Sequence, residues 1–242
     1  MNMPLKSIAL LKNIELLSKA VDEVIKSPMH LPKMVSFSGF SGYGKSFACA
    51  LVANKYRCFY CEIGSSLSIS YLLDNILKEM GINPPKALIA KKVEYVIENL
   101  TKQKRPLILD EFDKLAKDRA LEIIREIADK SGVPLILVGE ENLPAILDRV
   151  ERFSNRILSW VRAEPVSLED AQKLSQLYCT VNIREDLLKK LVAKSQGRVR
   201  RVCVNLNNIQ NESKVNGWKE VDLKIWGTRE IYTGIYPTPR RI

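Results

Sequence analysis

One run of eight residues constrains the chain more than any other feature. Gly39-Phe40-Ser41-Gly42-Tyr43-Gly44-Lys45-Ser46 fits the pattern G-x-x-x-x-G-K-[ST]. The apolar stretch 34–37 precedes it, and helical periodicity follows from Lys45 to about Lys55, with Phe47 in the first turn. A strand, a glycine-rich turn and a helix in that order belong to an α/β fold. Glycines at 39, 42 and 44 let the backbone curl with its N–H groups pointing inward. The helix start near Gly44 adds the positive end of its dipole. Lys45 supplies a point charge for β- and γ-phosphates, and the Ser46 hydroxyl is a hard oxygen ligand for Mg²⁺. The loop from Gly39 through Phe47 is the expected phosphate cradle.

Further strands are expected at 58–63, 106–110 and 133–139, each nearly continuous in apolar residues. Between them lie helical stretches at about 67–80, 90–102 and 119–130. Apolar strands separated by amphipathic helices indicate a parallel sheet covered on both faces. The fold class is therefore α/β, an αβα sandwich around a parallel sheet, followed by a small helical domain. An N-terminal helix over 5–26 should bury Leu10, Ile14, Leu17, Val21 and Val24. After Pro165 the spacing is helical only, at about 167–178, 184–195 and 199–213. The expected organisation is an N-terminal helix (1–30), a nucleotide-binding domain (31–165), a helical lid (166–225) and a basic tail (226–242). That tail, rich in Gly, Thr and Pro, is expected to order only against a partner.

The apolar run Pro106-Leu-Ile-Leu ends in Asp110-Glu111. Ligands of open α/β sheets sit at the C-terminal ends of strands. There Asp110 can hold a Mg²⁺ shell and Glu111 can act as general base toward an attacking water. An acidic pair alone is a weak signal; about 65 residues after the phosphate loop it points to ATP hydrolysis.

Composition sets the outer limits. Of 242 residues, 46% are hydrophobic and 27% charged, which excludes a disordered or fibrous chain. No run of 18 apolar residues is present, and the first 30 residues lack a signal-peptide core, so a cytoplasmic location is expected. The five cysteines include a Cys58-x-x-Cys61 pair, but no second pair follows and His30 is the only histidine. That argues for reduced thiols rather than a zinc site. The net charge is +10, and residues 166–242 hold 14 basic against 8 acidic side chains. A polyanionic partner such as nucleic acid is the natural expectation.

With these motifs in place, roughly residues 30–215 resemble the AAA+ ATPases. The strand LILDE, the helix RALEIIREIADKSG, the strand LILVGEENL, and the segments ERFSNRI and GRVRRV fall in that family's order. Their later members look most like the transposition ATPases of the MuB type, relatives of TnsC and IstB. The resemblance implies ATP and Mg²⁺ as cofactors and a polar sensor at Glu140, where the family carries a neutral residue; Asn142 is the alternative. It implies an arginine finger acting on a neighbouring subunit's ATP, with Arg156 the first candidate and Arg152 the second. It also places a lid arginine at Arg200, leaving Arg198 and Arg201 to face solvent or DNA. Basic residues Lys86, Lys91 and Lys92 would contact double-stranded DNA through its phosphates, without sequence preference.

The implied function is an ATPase that assembles as a ring or helical filament on target DNA and delivers it to a DDE transposase. The alternatives are an initiator or helicase loader of the DnaA or IstB type, and an ATP-dependent signalling switch that binds protein. Only 38 residues precede Gly39, so DNA binding is expected from the ATPase domain and its lid. About 25 residues follow the part that carries the resemblance, which counts against an appended DNA-reading domain.

Overall fold

The computed structural model describes residues 9–64, 68–115 and 117–234. Five parallel strands form one sheet in the order β2-β3-β4-β1-β5: β1 Met34–Ser38, β2 Phe59–Glu62, β3 Leu107–Asp110, β4 Leu135–Gly139 and β5 Ile157–Arg162. The three central strands are buried at every position. That burial is why their sequences read as unbroken apolar runs rather than as alternating ones. β4, bearing the expected sensor position, lies between the phosphate-loop strand β1 and the acidic strand β3.

Helices cover the sheet: α1 Lys12–Lys26, α2 Lys45–Tyr56, α3 Ile69–Glu79, α4 Ile89–Gln103, α5 Asp118–Ser131, and the short α6 Leu143–Asp148 and α7 Glu151–Ser154. The α3–α4–α5 layer packs on Met34, Phe59, Leu107, Leu109, Leu135 and Leu137 to form a hydrophobic core cluster. On the opposite face α2 packs against β2 and β3. In α1 the expected stripe holds at Ile14, Leu17, Val21 and Val24, but Leu10 is 60% exposed and Leu11 is buried instead. Leu10 precedes the first helical turn, so the helical period does not govern it. The expected start at residues 5–8, like Leu67 of the next helix, lies outside the described residues.

The chain divides into two compact units. One comprises Asn13–Phe40 and Lys45–Ala163; the other comprises residues 9–12, Ser41–Gly44 and 164–234. The helical unit contains α8 Leu168–Tyr178, α9 Glu185–Ser195 and α10 Val199–Asn216, packed mutually. Ser167 and Asp170 close a reciprocal capping box at the start of α8. Two elements not expected from the sequence follow: a parallel pair β6 Asn182–Ile183 with β7 Glu220–Val221, and α11 Leu223–Trp226.

The start of the tail departs from the sequence expectation. Buried Asn205 of α10 donates to the Tyr232 carbonyl (2.9 Å) and accepts from the Tyr232 N–H (2.8 Å), pairing like a strand neighbour. Trp226 is buried, and the Arg229 guanidinium stacks over Trp218 at 4.8 Å. The chain through residue 234 therefore contacts its own helical unit rather than standing free of it. Residues 235–242, with Arg240 and Arg241, lie outside the described residues.

Candidate nucleotide-binding site

The phosphate loop leaves the C-terminal end of β1 and runs into α2. Gly42 and Gly44 take φ of +87° and +83°, a region that side-chain-bearing residues rarely enter. A β-carbon on Gly39 would also approach that of Ala163 to 2.8 Å. Lys45 is buried at the base of the loop, and its ammonium donates to the carbonyls of Gly39 (2.6 Å) and Phe40 (3.1 Å). The ammonium is thus held at the loop by two carbonyls. Ser46, one residue on, is exposed, as are Phe47, Ser41 and Phe40; Tyr43 is half-buried. The first turn of α2 contains no acidic side chain, so nothing offsets its positive dipole end.

The acidic strand delivers Asp110 and Glu111 at the same end of the sheet. Asp110 is only 1% exposed. Its Oδ1 accepts from the Glu111 N–H (2.9 Å), and its Oδ2 accepts from the Tyr60 hydroxyl (2.8 Å). Register explains the second contact. Tyr60 pairs with Ile108 and Glu62 with Asp110, so Tyr60 and Asp110 share the face that α2 covers. Burial first, and then the Asp110 carboxylate, push the Tyr60 phenol far above its ordinary pKa, so the phenol is the donor. Sequence reasoning missed Tyr60. The only available signal was a hydroxyl-bearing residue inside an apolar strand, and its partner follows only from register.

Glu111 has φ 58° and ψ 34°, left-handed for a non-glycine residue. Lys104 and Gln196 share that conformation, but they cap helices, where it is common. Glu111 follows a strand, and holding it there costs on the order of 1 kcal/mol. Its carboxylate pairs with Lys114 at 3.2 Å. Strained residues of this kind cluster at functional sites, which makes Glu111 a candidate.

Asp113 is a second residue the sequence did not single out. Its Oδ1 accepts from the Glu140 N–H (3.0 Å), tying the turn after β3 to the end of β4. The same oxygen occupies the space that a Gly139 side chain would need. The Glu140 and Asn142 side chains are exposed, and Asn142 makes no capping hydrogen bond to α6.

The expected arginines separate. Arg156 sits at the N-terminal end of β5 and makes a two-pronged pair with Asp129 of α5, at 3.0 and 3.3 Å. Arg152, on α7, is exposed and has no ion pair among the described residues. Within the helical unit, the half-buried Arg198 lies against the loop tip, and a β-carbon on Gly42 would meet its stem at 3.3 Å. The Val199 N–H donates to the Gly42 carbonyl (2.8 Å). Arg200 is exposed and Arg201 donates to Gln196 (2.8 Å). The arginine brought to the loop tip is thus Arg198, not the expected Arg200, because α10 begins at Val199 and turns Arg200 outward.

The expected DNA contacts also change. Lys92 is 7% exposed and donates to Asp74 (2.7 Å) and Ser70 (3.0 Å) of α3. It is an internal tie and cannot reach a phosphate. Lys91 is exposed but paired with Glu94 (2.6 Å), and Lys86 is exposed. The CxxC pair is buried, and burial pushes Cys58 up to about 11 and Cys61 to about 12, so both stay as neutral thiols.

The donor set fits a metal-bound nucleoside triphosphate. It offers a glycine cradle, a buried ammonium, a hydroxyl and a carboxylate of hard oxygens, and a second carboxylate one residue on. Comparison with known proteins bears on the fold. Residues 29–147 match the family model described as an AAA domain. No curated protein matches the sequence significantly. Among solved structures, Cdc6p of Pyrobaculum aerophilum matches with a TM-score of 0.66 at 16% identity, covering 90% of this chain and 66% of that one. ORC1 of Aeropyrum pernix, solved in complex with DNA, matches with a TM-score of 0.65 at 14% identity, covering 90% and 65%. The ADP form of ORC2 from the same organism matches with a TM-score of 0.65 at 16% identity, covering 93% and 68%. The chain thus spans about two thirds of those proteins, and at such identities the likeness is one of fold. That fold is the αβα architecture of the P-loop AAA+ ATPases.

Proposed function

We propose that this chain, built around an AAA domain, binds ATP with Mg²⁺ and hydrolyses it. One observation carries the reading: a phosphate loop and a strained Asp110-Glu111 strand end stand at the same edge of one parallel sheet. Gly39–Ser46 would wrap the phosphates, with Lys45 turning its N–H donors from the loop carbonyls to phosphate oxygens. The Ser46 hydroxyl and the Asp110 carboxylate would hold Mg²⁺, which when bound neutralises phosphate charge. Glu111, one residue on, would accept the proton of the attacking water.

Hydrolysis is further proposed to need a second subunit. Arg152 is exposed and unpaired among the described residues, which favours it over Arg156 as the finger. The test is a steady-state assay of the full chain across protein concentrations. Specific activity should rise with concentration. Lys45→Ala should abolish nucleotide binding, and Glu111→Gln should keep binding but lose hydrolysis. Mixing Arg152→Ala with Lys45→Ala should restore part of the activity. Full turnover in Glu111→Gln would refute the base, and no rescue in the mixture would refute the shared site.

The finer reading is an ATPase that coats target DNA and passes it to a DDE transposase. It rests on the order of the segments LILDE, LILVGEENL, ERFSNRI and GRVRRV. A second reading, a replication initiator, draws on the likeness to Cdc6p and to an ORC1 solved with DNA. Footprinting on unrelated duplexes separates them: uniform protection favours the first, and protection of one sequence favours the second.

A further inference from the structure

We propose that Tyr60 is a positioning residue for the metal-bound phosphates, acting through Asp110. The inference rests on the nucleotide site proposed above. Asp110 stands at the end of β3 with both carboxylate oxygens engaged. Oδ1 is held by the N–H of the next residue, which any side chain at 111 would supply. Oδ2 is held by Tyr60 alone among the described residues, at 2.8 Å. An aspartate side chain has three staggered χ1 rotamers and a broad χ2, and the backbone contact alone leaves them open. The hydroxyl from the neighbouring strand selects one and fixes which lone pairs remain for a cation.

Strand geometry makes Tyr60 suited to this. It sits diagonally across the parallel pair from Asp110 on the same face, and its ring spans the two-residue offset that a serine or threonine could not. Tyr60 also lines an open cavity of about 530 Å³ with Asn54, Arg57, Glu79 and Arg105. Tyr60 is therefore not clamped in the core for packing alone. A phenylalanine would fill the same volume with one oxygen fewer, so what Tyr60 adds beyond packing is the hydrogen bond to Asp110.

The experiment is a Mg²⁺ titration of binding to a fluorescent ATP analogue, on the full chain and on Tyr60→Phe, well below the melting temperature of each. The Mg²⁺ midpoint should rise about tenfold in Tyr60→Phe, the loss typical when the outer partner of a metal ligand is removed. Affinity for the analogue without metal should stay the same, because the loop makes those contacts. Hydrolysis should fall at limiting Mg²⁺ and recover in excess. A purely structural role would instead lower the melting temperature and weaken binding with and without metal alike. A midpoint unchanged within twofold in a folded Tyr60→Phe overturns the proposal. Absence of Mg²⁺-dependent binding in the unaltered chain overturns the nucleotide site itself, which is a different result.

Discussion

At the scale of single residues, Lys91 and Lys92 show how neighbours in sequence part company. Both read as exposed cations on a helix. The period of α4 turns Lys92, with Val93, Val96 and Leu100, toward α3, where Asp74 and Ser70 receive its ammonium. Lysine is rarely buried, and its partner lies 18 residues away, so nothing local announces the pair. Lys92→Ala leaves the Asp74 carboxylate without its counter-charge in a poorly hydrated gap. We expect a loss of about 3 kcal/mol, the low end for breaking a buried pair, since Asp74 keeps some solvent contact. Lys91→Ala removes exposed, solvent-screened contacts with Glu94 and the Tyr95 ring and should cost far less than Lys92→Ala. Urea denaturation of both variants checks this, and equal losses would contradict it. By contrast the placement of Lys45, Asp110 and Glu111 at the ends of β1 and β3 was legible from the sequence, because each stands at a junction that composition marks sharply. Tyr60 and Asp113 were not, because their partners come from other strands and turns.

At the scale of elements, legibility follows burial. β1, β3 and β4 are covered on both faces, so their sequences carry no alternation and stand out between helices. β5 lies at the sheet edge and leaves Ser159, Trp160 and Arg162 partly or fully open to solvent. With five of its six positions partly or fully open to solvent, ILSWVR gives neither an apolar run nor a clean period of two. The short α6 and α7 lack the length over which helical periodicity shows. The link between β4 and the turn after β3 is likewise a matter of space. Gly139 is required because the Asp113 carboxylate fills the place of a side chain while holding the Glu140 N–H. Gly139→Ala should push that carboxylate aside and cost about 1–3 kcal/mol. Hydrolysis should fall more than nucleotide affinity, since the displaced turn carries Glu111. Asp113→Ala removes the obstructing atoms, so the double variant should lose less than the sum of the two single variants. A double-mutant cycle by chemical denaturation tests this, and strict additivity would rule out the steric link.

At the scale of the whole molecule, the issue is where a charge of +10 becomes available to a polyanion. The exposed lysines of α4 are neutralised locally: Lys91 by Glu94 and Lys102 by Glu98. The helical unit differs. Lys190 and Lys194 stand one turn apart on α9, exposed and without an acidic partner among the described residues, and Arg200 is exposed on α10. A DNA surface is therefore better sought there than on α4. Two or three phosphate contacts per subunit give weak binding alone. Subunits assembled with ATP would engage the same duplex together, and avidity would multiply a weak term. Binding should then require ATP or a non-hydrolysable analogue, ignore sequence, and weaken with salt at a log–log slope of about −0.9 per phosphate neutralised. Changing Lys190 and Lys194 together to Ala should flatten that slope by roughly two units per subunit contacting DNA and weaken binding to all duplexes alike. Lys91→Ala should leave it nearly unchanged, because the Glu94 pair already offsets its charge. Binding of unrelated duplexes across a salt series, with and without nucleotide, reads every arm of this prediction. An unaltered slope in the α9 variant, with folding and nucleotide affinity intact, would move the DNA surface off the helical unit, whereas equal binding without ATP would remove assembly from the account.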